Sequence, residues 1–384
     1  MAMVDMSLLY HDLKRRKIKM NEAILKNEER AIFALRELYK QYGYQSFKMS
    51  KFEEYELYVQ NKDFLVSDRV IAFNDTDGRF LALKPDVTLS IIKNTTDEGG
   101  CKQKVCYNEN VYRVSGSTHQ FKEIMQTGLE CIGDIDTYDR FEVVYLATKS
   151  LAQISDSFAL DISHMGILSA ILDEASDNDS FKKEIIRLIA EKNSHEAQSL
   201  CKKNGVSDEL SSAILSLIST YGKMGEVLDS ILPLCKSEGA KSAYEQLKEL
   251  CSLLSKTELA DKIRIDFSVV NDMNYYNGIV FKGFLEGIPE DILSGGEYGM
   301  LMRRMGRRSE AIGFALYLDL LEALNTTPAM YDVDVLLLYD DSTTEVIKTK
   351  NELIAQGKSV SAQRAIPAKL RYKKVIDLRG GANK

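Results

Sequence analysis

The sequence predicts an α+β fold: an antiparallel sheet with flanking helices, a helical insertion, and a small C-terminal α/β unit. Three patterns carry that prediction. Between about residues 66 and 162, apolar or alternating runs are broken by turns rich in glycine and aspartate, as in antiparallel strands. From roughly 165 to 260, apolar residues recur at helical spacing among Leu, Lys, Glu and Ser. Beyond Pro328, a likewise patterned strand–helix–strand–strand series fits into only about 50 residues, near the lower limit for independent stability. The predicted domains are 1–325, with its insertion at about 165–260, and 330–384.

The elements follow in order. Residues 14–19 form a basic run, read as a solvated segment entering a helix. Over 20–42, Ile24, Ala31, Ile32, Leu35, Leu38 and Tyr39 recur at helical spacing, and Gly43 stops the helix. Residues 44–60 read as an extended segment and a short helix. Strands at 66–74 and 79–83 flank Asp75-Thr76-Asp77-Gly78, a hairpin signal. Thr88 opens a helix to Asn94. Strands at 104–114 and 124–132 flank the polar turn Ser115-Gly116-Ser117-Thr118-His119-Gln120. A helix follows over 138–157 and a strand over 158–162. After the insertion, strand patterns return at 263–270 and 278–285, glycines cluster at 295, 296 and 299, and 311–316 precedes another helix. The C-terminal unit reads as strand 333–339, helix 343–356, and strands 359–363 and 374–378.

Composition narrows the function. The chain has 384 residues, 45% hydrophobic and 28% charged, which suits a globular protein. Acids outnumber bases 57 to 50, for a net charge of −7, which argues against a general nucleic-acid binder. No apolar run approaches the ~20 residues of a membrane span, and the start lacks the order of a signal peptide. A cytoplasmic protein is the expectation. Six cysteines without a CxxC pair and four scattered histidines predict reduced thiols and no metal site. No nucleophile elbow, phosphate-binding loop or HExxH is present.

The informative residues are polar groups on strands that otherwise read as buried. Gln126 and Glu130 lie four apart on one strand and so point the same way. Asp86 and Thr88 share a face if their segment is extended. Arg113 ends the preceding strand, and Tyr275 and Tyr276 are expected to point in opposite directions. A cleft with Asp86, Thr88, Arg113, Gln126, Glu130 and a tyrosine suits a zwitterion: carboxylates for an ammonium, an arginine for a carboxylate. An Arg113–Glu130 ion pair inside the sheet explains the same residues without a ligand. Spacing alone leaves both readings open.

A resemblance adds to these residues. Leu81-Ala-Leu-Lys-Pro-Asp-Val-Thr88 resembles the Arg-Pro-Glu-x-Thr segment of class II histidyl-tRNA synthetases. The stretch 107–133, with Val-Tyr-Arg113 and Gln126-Thr-Gly-Leu-Glu130, is similar to their motif 2 region. Asn271-Asp-Met-Asn-Tyr-Tyr-Asn-Gly278 resembles their second histidine signature. Ser294-Gly-Gly-Glu-Tyr298 and Ala311-Ile-Gly-Phe-Ala315 resemble the Gly-Gly-x-Tyr and motif 3 segments. These five matches run in family order over about 20–325. They imply a class II synthetase-like fold and a histidine pocket. In it, Asp86 and Thr88 hold the α-ammonium, Arg113 and Gln126 face the α-carboxylate, Glu130 and Tyr276 bracket the imidazole, and Tyr298 lines its far side.

The departures from that family point elsewhere. The motif 3 arginine position holds Leu320, and the nearby small-residue position holds Tyr317, whose ring would crowd an adenine site. Asn271 replaces the arginine of the second signature, and the motif 2 loop has lost its Glu and arginines. A chain that keeps the amino-acid pocket and loses the ATP-activating groups resembles the regulatory subunits of ATP phosphoribosyltransferase, a synthetase-like family. That resemblance implies no catalysis and no cofactor, and a part in histidine biosynthesis. The implied partners are a short-form catalytic subunit, histidine as feedback ligand, and a second copy of the chain in a dimer or higher; tRNA is disfavoured and no membrane is expected. The dimer would form through about 31–58, centred on Tyr42-Gly43-Tyr44, unless those tyrosines are ordinary core. The cluster Arg303, Arg304, Arg307 and Arg308 is a candidate partner surface, or else a solvated or internally paired face.

Overall fold

The computed structural model describes residues 25–62, 70–96, 101–114, 119–270, 275–324, 330–340 and 343–380. The basic run at 14–19, Ile24, the first part of the strand expected at 66–74, residues 115–118 of the polar turn, Asn271 and Pro328 lie outside them. The chain forms two compact units, Met1–Leu324 and Asn325–Lys384.

The first unit opens with α1 (Asn27–Gln41), β1 (Gln45–Ser46), β2 (Phe52–Glu54), α2 (Tyr55–Gln60), β3 (Ala72–Asn74), β4 (Phe80–Leu83) and α3 (Thr88–Asn94). Helix α1 buries Ala31, Leu35, Leu38 and Tyr39, a stripe at three- and four-residue spacing. Gly43 follows it at φ +84°, a left-handed position that favours glycine. The hairpin between β3 and β4 turns through Gly78 at φ +86°, closed by the Gly78 amide donating to the Asp75 carbonyl at 3.0 Å. Strands β2, β4 and β3 form a small sheet of their own.

Two long strands follow, β5 (Gln103–Val114) and β6 (Phe121–Gly133), then α4 (Thr137–Ala152) and β7 (Phe158–His164). Helix α4 starts where Asp136 accepts from the Asp139 amide and ends at Ala152, short of the predicted 157. The insertion holds α5 (Met165–Ala175), α6 (Asp179–Ala190), α7 (Ser194–Lys203), α8 (Asp208–Ser219), β8 (Tyr221–Lys223), α9 (Met224–Ile231) and α10 (Glu238–Leu254). It is not helical throughout, because β8 leaves it to join the main sheet beside β9. Three residues are too few to show a period of two in a sequence. The unit closes with β9 (Ile263–Asp266), β10 (Ile279–Leu285), β11 (Leu293–Glu297), α11 (Gly299–Arg304) and β12 (Glu310–Tyr317), then a 3-10 stretch (Leu318–Leu324).

The main sheet runs β1-β5-β6-β12-β11-β10-β7-β9-β8. It is antiparallel from β5 to β7, while β1 joins β5 and β9 joins β7 in parallel, so the sheet is mixed. One face packs against α4, α5 and α10 around Leu129, Leu146, Leu160, Ile162, Phe281 and Phe314. The opposite face carries Tyr107, Val111 and Ile132 with Tyr298 and helix α3. Among the described residues, no helix is long and apolar enough to cross a membrane. The second unit is a parallel sheet, β13 (Val333–Leu338) between β14 (Val360–Gln363) and β15 (Tyr372–Asp377). Its helix α12 (Thr343–Ala355) sets Leu353 against Val335 and Leu337.

Candidate functional site

Register assembles the site. Glu130 on β6 stands opposite Gly313 on β12, which stands opposite Gly296 on β11. Gly128 likewise faces Ala315, and Gln126 faces Tyr317. Directly opposed residues share a sheet face, so a floor of small side chains runs beside two polar ones. The glycines are there for room. A Cβ on Gly313 would lie 1.6 Å from Oε2 of Glu130, and one on Gly296 would lie 2.8 Å from the Tyr276 ring. Glu130 therefore lays its carboxyl across β12.

There it meets two hydroxyls. Tyr298 donates to Oε2 at 2.6 Å, and Thr88, in the first turn of α3, donates to Oε1 at 3.1 Å. A carboxylate has about four acceptor positions, so two remain for a ligand. Burial pushes the Glu130 carboxyl up to about 8, with Asp86 adding to the rise and the two hydroxyls opposing it. Near neutral pH burial therefore favours the protonated form, and a cationic ligand would favour the carboxylate.

Asp86 reaches the pocket by a different route from the one the sequence suggested. Its segment is not extended: Thr88 already lies in the helix, and Oδ1 of Asp86 accepts from the Leu89 amide at 2.9 Å, capping α3. Burial raises the Asp86 carboxyl, against the Leu89 and Thr88 amides and the nearby Arg113. Arg113, at the end of β5, donates from Nε to the Pro85 carbonyl at 2.9 Å. Arg113 and Glu130 form no ion pair: Arg113 opposes Lys122, eight residues along β6 from Glu130, and its guanidinium turns to Pro85 and Asp86 instead.

Gln126 is 2% exposed, and its Nε2 meets no acceptor among the described residues. An unmet buried donor costs about 1–3 kcal/mol, which a ligand carboxylate would offset. Tyr275 and Tyr276 do not diverge. They sit in a turn with ring centroids 4.5 Å apart, and Tyr275 also lies 6.2 Å from Tyr298. The expectation of opposite directions assumed a strand, whereas the turn brings both rings to one side. Tyr275 and the glycine floor were therefore missed. Glycines at 128, 296 and 313 inside strand patterns were the available signal for the floor.

Opposite Gln126, the Tyr317 ring shares the pocket face, its hydroxyl 3.0 Å from Ser294 Oγ. Leu320 packs into the helix-side core. Tyr44 is buried and donates to Glu142 at 3.3 Å, as a core residue does. Arg307 donates to the carbonyl of Ile92 in the last turn of α3, and Arg303 lies 4.0 Å from Glu310. Those two arginines have internal partners.

Comparison with known proteins agrees with this architecture. Residues 19–321 match the family model described as histidyl-tRNA synthetase. An ATP phosphoribosyltransferase regulatory subunit from Oceanobacillus iheyensis is 29% identical over 304 residues, 78% of this chain and 75% of that protein. A Bacillus halodurans structure described as an ATP phosphoribosyltransferase regulatory subunit/histidyl-tRNA synthetase aligns with TM-score 0.75 at 24% identity, over 92% of this chain and 94% of that one. An ATP phosphoribosyl transferase (HisG:HisZ) complex from Thermotoga maritima aligns with TM-score 0.60 at 20% identity, over 76% and 97%. At these identities the structural likeness is one of fold.

Proposed function

This chain belongs to the histidyl-tRNA synthetase family, and from that premise we propose that it is a regulatory, non-catalytic subunit of ATP phosphoribosyltransferase. It acts in the cytoplasm, in the first step of histidine biosynthesis. It supports a short-form catalytic subunit, carries histidine feedback, and self-associates at least to a dimer. Histidine occupies the pocket of Asp86, Thr88, Arg113, Gln126, Glu130, Tyr276 and Tyr298. The ammonium goes to Asp86 and Thr88, the carboxylate to Arg113 and Gln126, and the imidazole between Glu130 and Tyr276.

One contrast carries this reading. Thr88 and Tyr298 meet Glu130 on one sheet face, as a histidine pocket would need, while Leu320 packs against the opposite core and Tyr317 stands on the neighbouring floor. Activation of an amino acid by ATP needs cations on the triphosphate. The curated relative supports the same assignment. Two measurements test it. Histidine-dependent ATP–pyrophosphate exchange should be absent with pure protein, and a short-form catalytic subunit should co-purify with the chain. Detectable exchange would instead make the chain a working histidyl-tRNA synthetase.

A further inference from the structure

A cavity of about 270 Å³ lies behind the segments that present Tyr276 and Tyr298 to the pocket. Its walls include Arg140 of α4, His164 at the end of β7, Ser242 and Gln246 of α10, Asn277 and Glu297. Glu297, its opposed partner Ile312 and His164 put most of the wall on the helix side of the sheet, away from the amino-acid pocket, with Ala311 reaching it from the other face.

Its polar groups are only partly satisfied by the protein. Oδ1 of Asn277 is buried and accepts from nothing among the described residues. Arg140 donates from Nε to Oε1 of Glu297 at 2.6 Å, and its two terminal amino groups meet no acceptor among the described residues. Glu297 is fixed from its other oxygen, which accepts from the Ile279 amide at 2.7 Å. His164 adds no charge. Its Nδ1 accepts from the Gly166 amide at 3.0 Å, its Nε2 lies 3.3 Å from Oε1 of Gln246, and burial pushes it down to about 4. The cavity therefore offers a guanidinium with free donors, one unmet amide acceptor, and the exposed Glu310 carboxylate, so an oxyanion bound there must also bring an N–H or O–H donor.

We propose that this cavity is a second ligand site, for a small molecule bearing a carboxylate or phosphate for Arg140 and an adjacent N–H or O–H donor for Asn277. The planar donors of a guanidinium match the oxygens of either anion. The volume falls just below the ~300–1,000 Å³ of drug-sized ligand sites, so the ligand is the size of an amino acid or a simple phosphomonoester. The site also connects to the first pocket. The Asn277 amide donates to the Glu297 carbonyl at 3.1 Å, tying the two segments together. Tyr276 precedes Asn277 and Tyr298 follows Glu297, so a ligand held by Asn277 and Arg140 fixes the backbone that aims both tyrosines. Any effect on the first pocket is reciprocal by linkage.

The test is saturation-transfer NMR on the full chain with three probes at millimolar concentration. Glycine carries a carboxylate beside an ammonium, phosphoethanolamine carries a phosphate beside an ammonium, and ethanolamine lacks the oxyanion. The expected result is transfer to at least one oxyanion probe and none to ethanolamine; the responding probe identifies the anion. Ser242 is an exposed residue of α10, so Ser242→Phe should fill the cavity without touching the Arg140–Glu297 pair and cut transfer at least tenfold. Asn277→Ala should weaken transfer, and Gln126→Ala, which alters only the first pocket, should leave it unchanged. Melting curves establish that each variant is folded. Three results would each overturn the proposal: no transfer to either oxyanion probe, equal transfer to ethanolamine, or full transfer in folded Ser242→Phe. Loss of transfer in Gln126→Ala would do the same, by assigning the probe to the first pocket.

Discussion

Tyr298 donates its hydroxyl hydrogen to Oε2 of Glu130 over 2.6 Å, joining two residues 168 positions apart in the chain. The contact exists because Gly313, directly opposite Glu130, has no side chain to block it. Each prediction below perturbs one part of that arrangement.

Glu130→Gln separates binding from stability. A hydrogen bond to a charged group contributes about 1.5–3 kcal/mol, so histidine affinity should fall roughly 10- to 150-fold by calorimetry. Stability should move the other way. The folded carboxyl titrates at about 8 against a model value of 4.5. Its contribution is therefore complete below about pH 4.5 and is lost as pH rises toward 8, because the unfolded chain ionises first. Thermal melts should show the variant gaining on wild type from pH 5 to pH 8. A constant difference across that range would contradict the buried-acid assignment.

Gly313→Ala should abolish histidine binding and lower the melting temperature. Its Cβ would meet Oε2 of Glu130 at 1.6 Å and the Leu129 carbonyl at 2.5 Å. The carboxyl can swing away, but the carbonyl belongs to the neighbouring strand and cannot. Unchanged calorimetry in this variant would mean that the ligand does not use Glu130.

Asp86 has two roles that substitution can split. Asp86→Asn keeps an oxygen for the Leu89 amide and removes the charge, so stability should change little while histidine binding weakens. Asp86→Ala should lose the cap as well, at about 0.5–2 kcal/mol. Denaturant titration paired with calorimetry reads both effects. Equal destabilisation by the two substitutions would show that the cap depends on charge.

Leu320→Arg should not create ATP activation. The side chain at 320 packs toward the helix-side core, so the substitution puts a cation against apolar neighbours. A lower melting temperature and no pyrophosphate exchange are expected. Exchange above background would show that this position reaches the pocket.

The longer elements and the sidedness of β6 were legible in the sequence because they are local, whereas the three-residue β8 was not. Alternation with a period of two puts Gln126 and Glu130 on one face whatever surrounds them, and the helical stripe of Leu35, Leu38 and Tyr39 needs no partner to be seen. The residues proposed for the ligand were also legible, through segments matching a known family. What the sequence could not decide depends on pairing between distant strands and on turn geometry. The register of β6, β12 and β11 turns three scattered glycines into one floor, and that of β5 and β6 sets Arg113 opposite Lys122, eight residues along β6 from Glu130. A turn at 275–278 brings together two tyrosines that a strand would have parted. The proton held by Glu130 is likewise tertiary in origin. A carboxyl's affinity for its proton rises when the surrounding chain removes water, and residues far apart in sequence do that here.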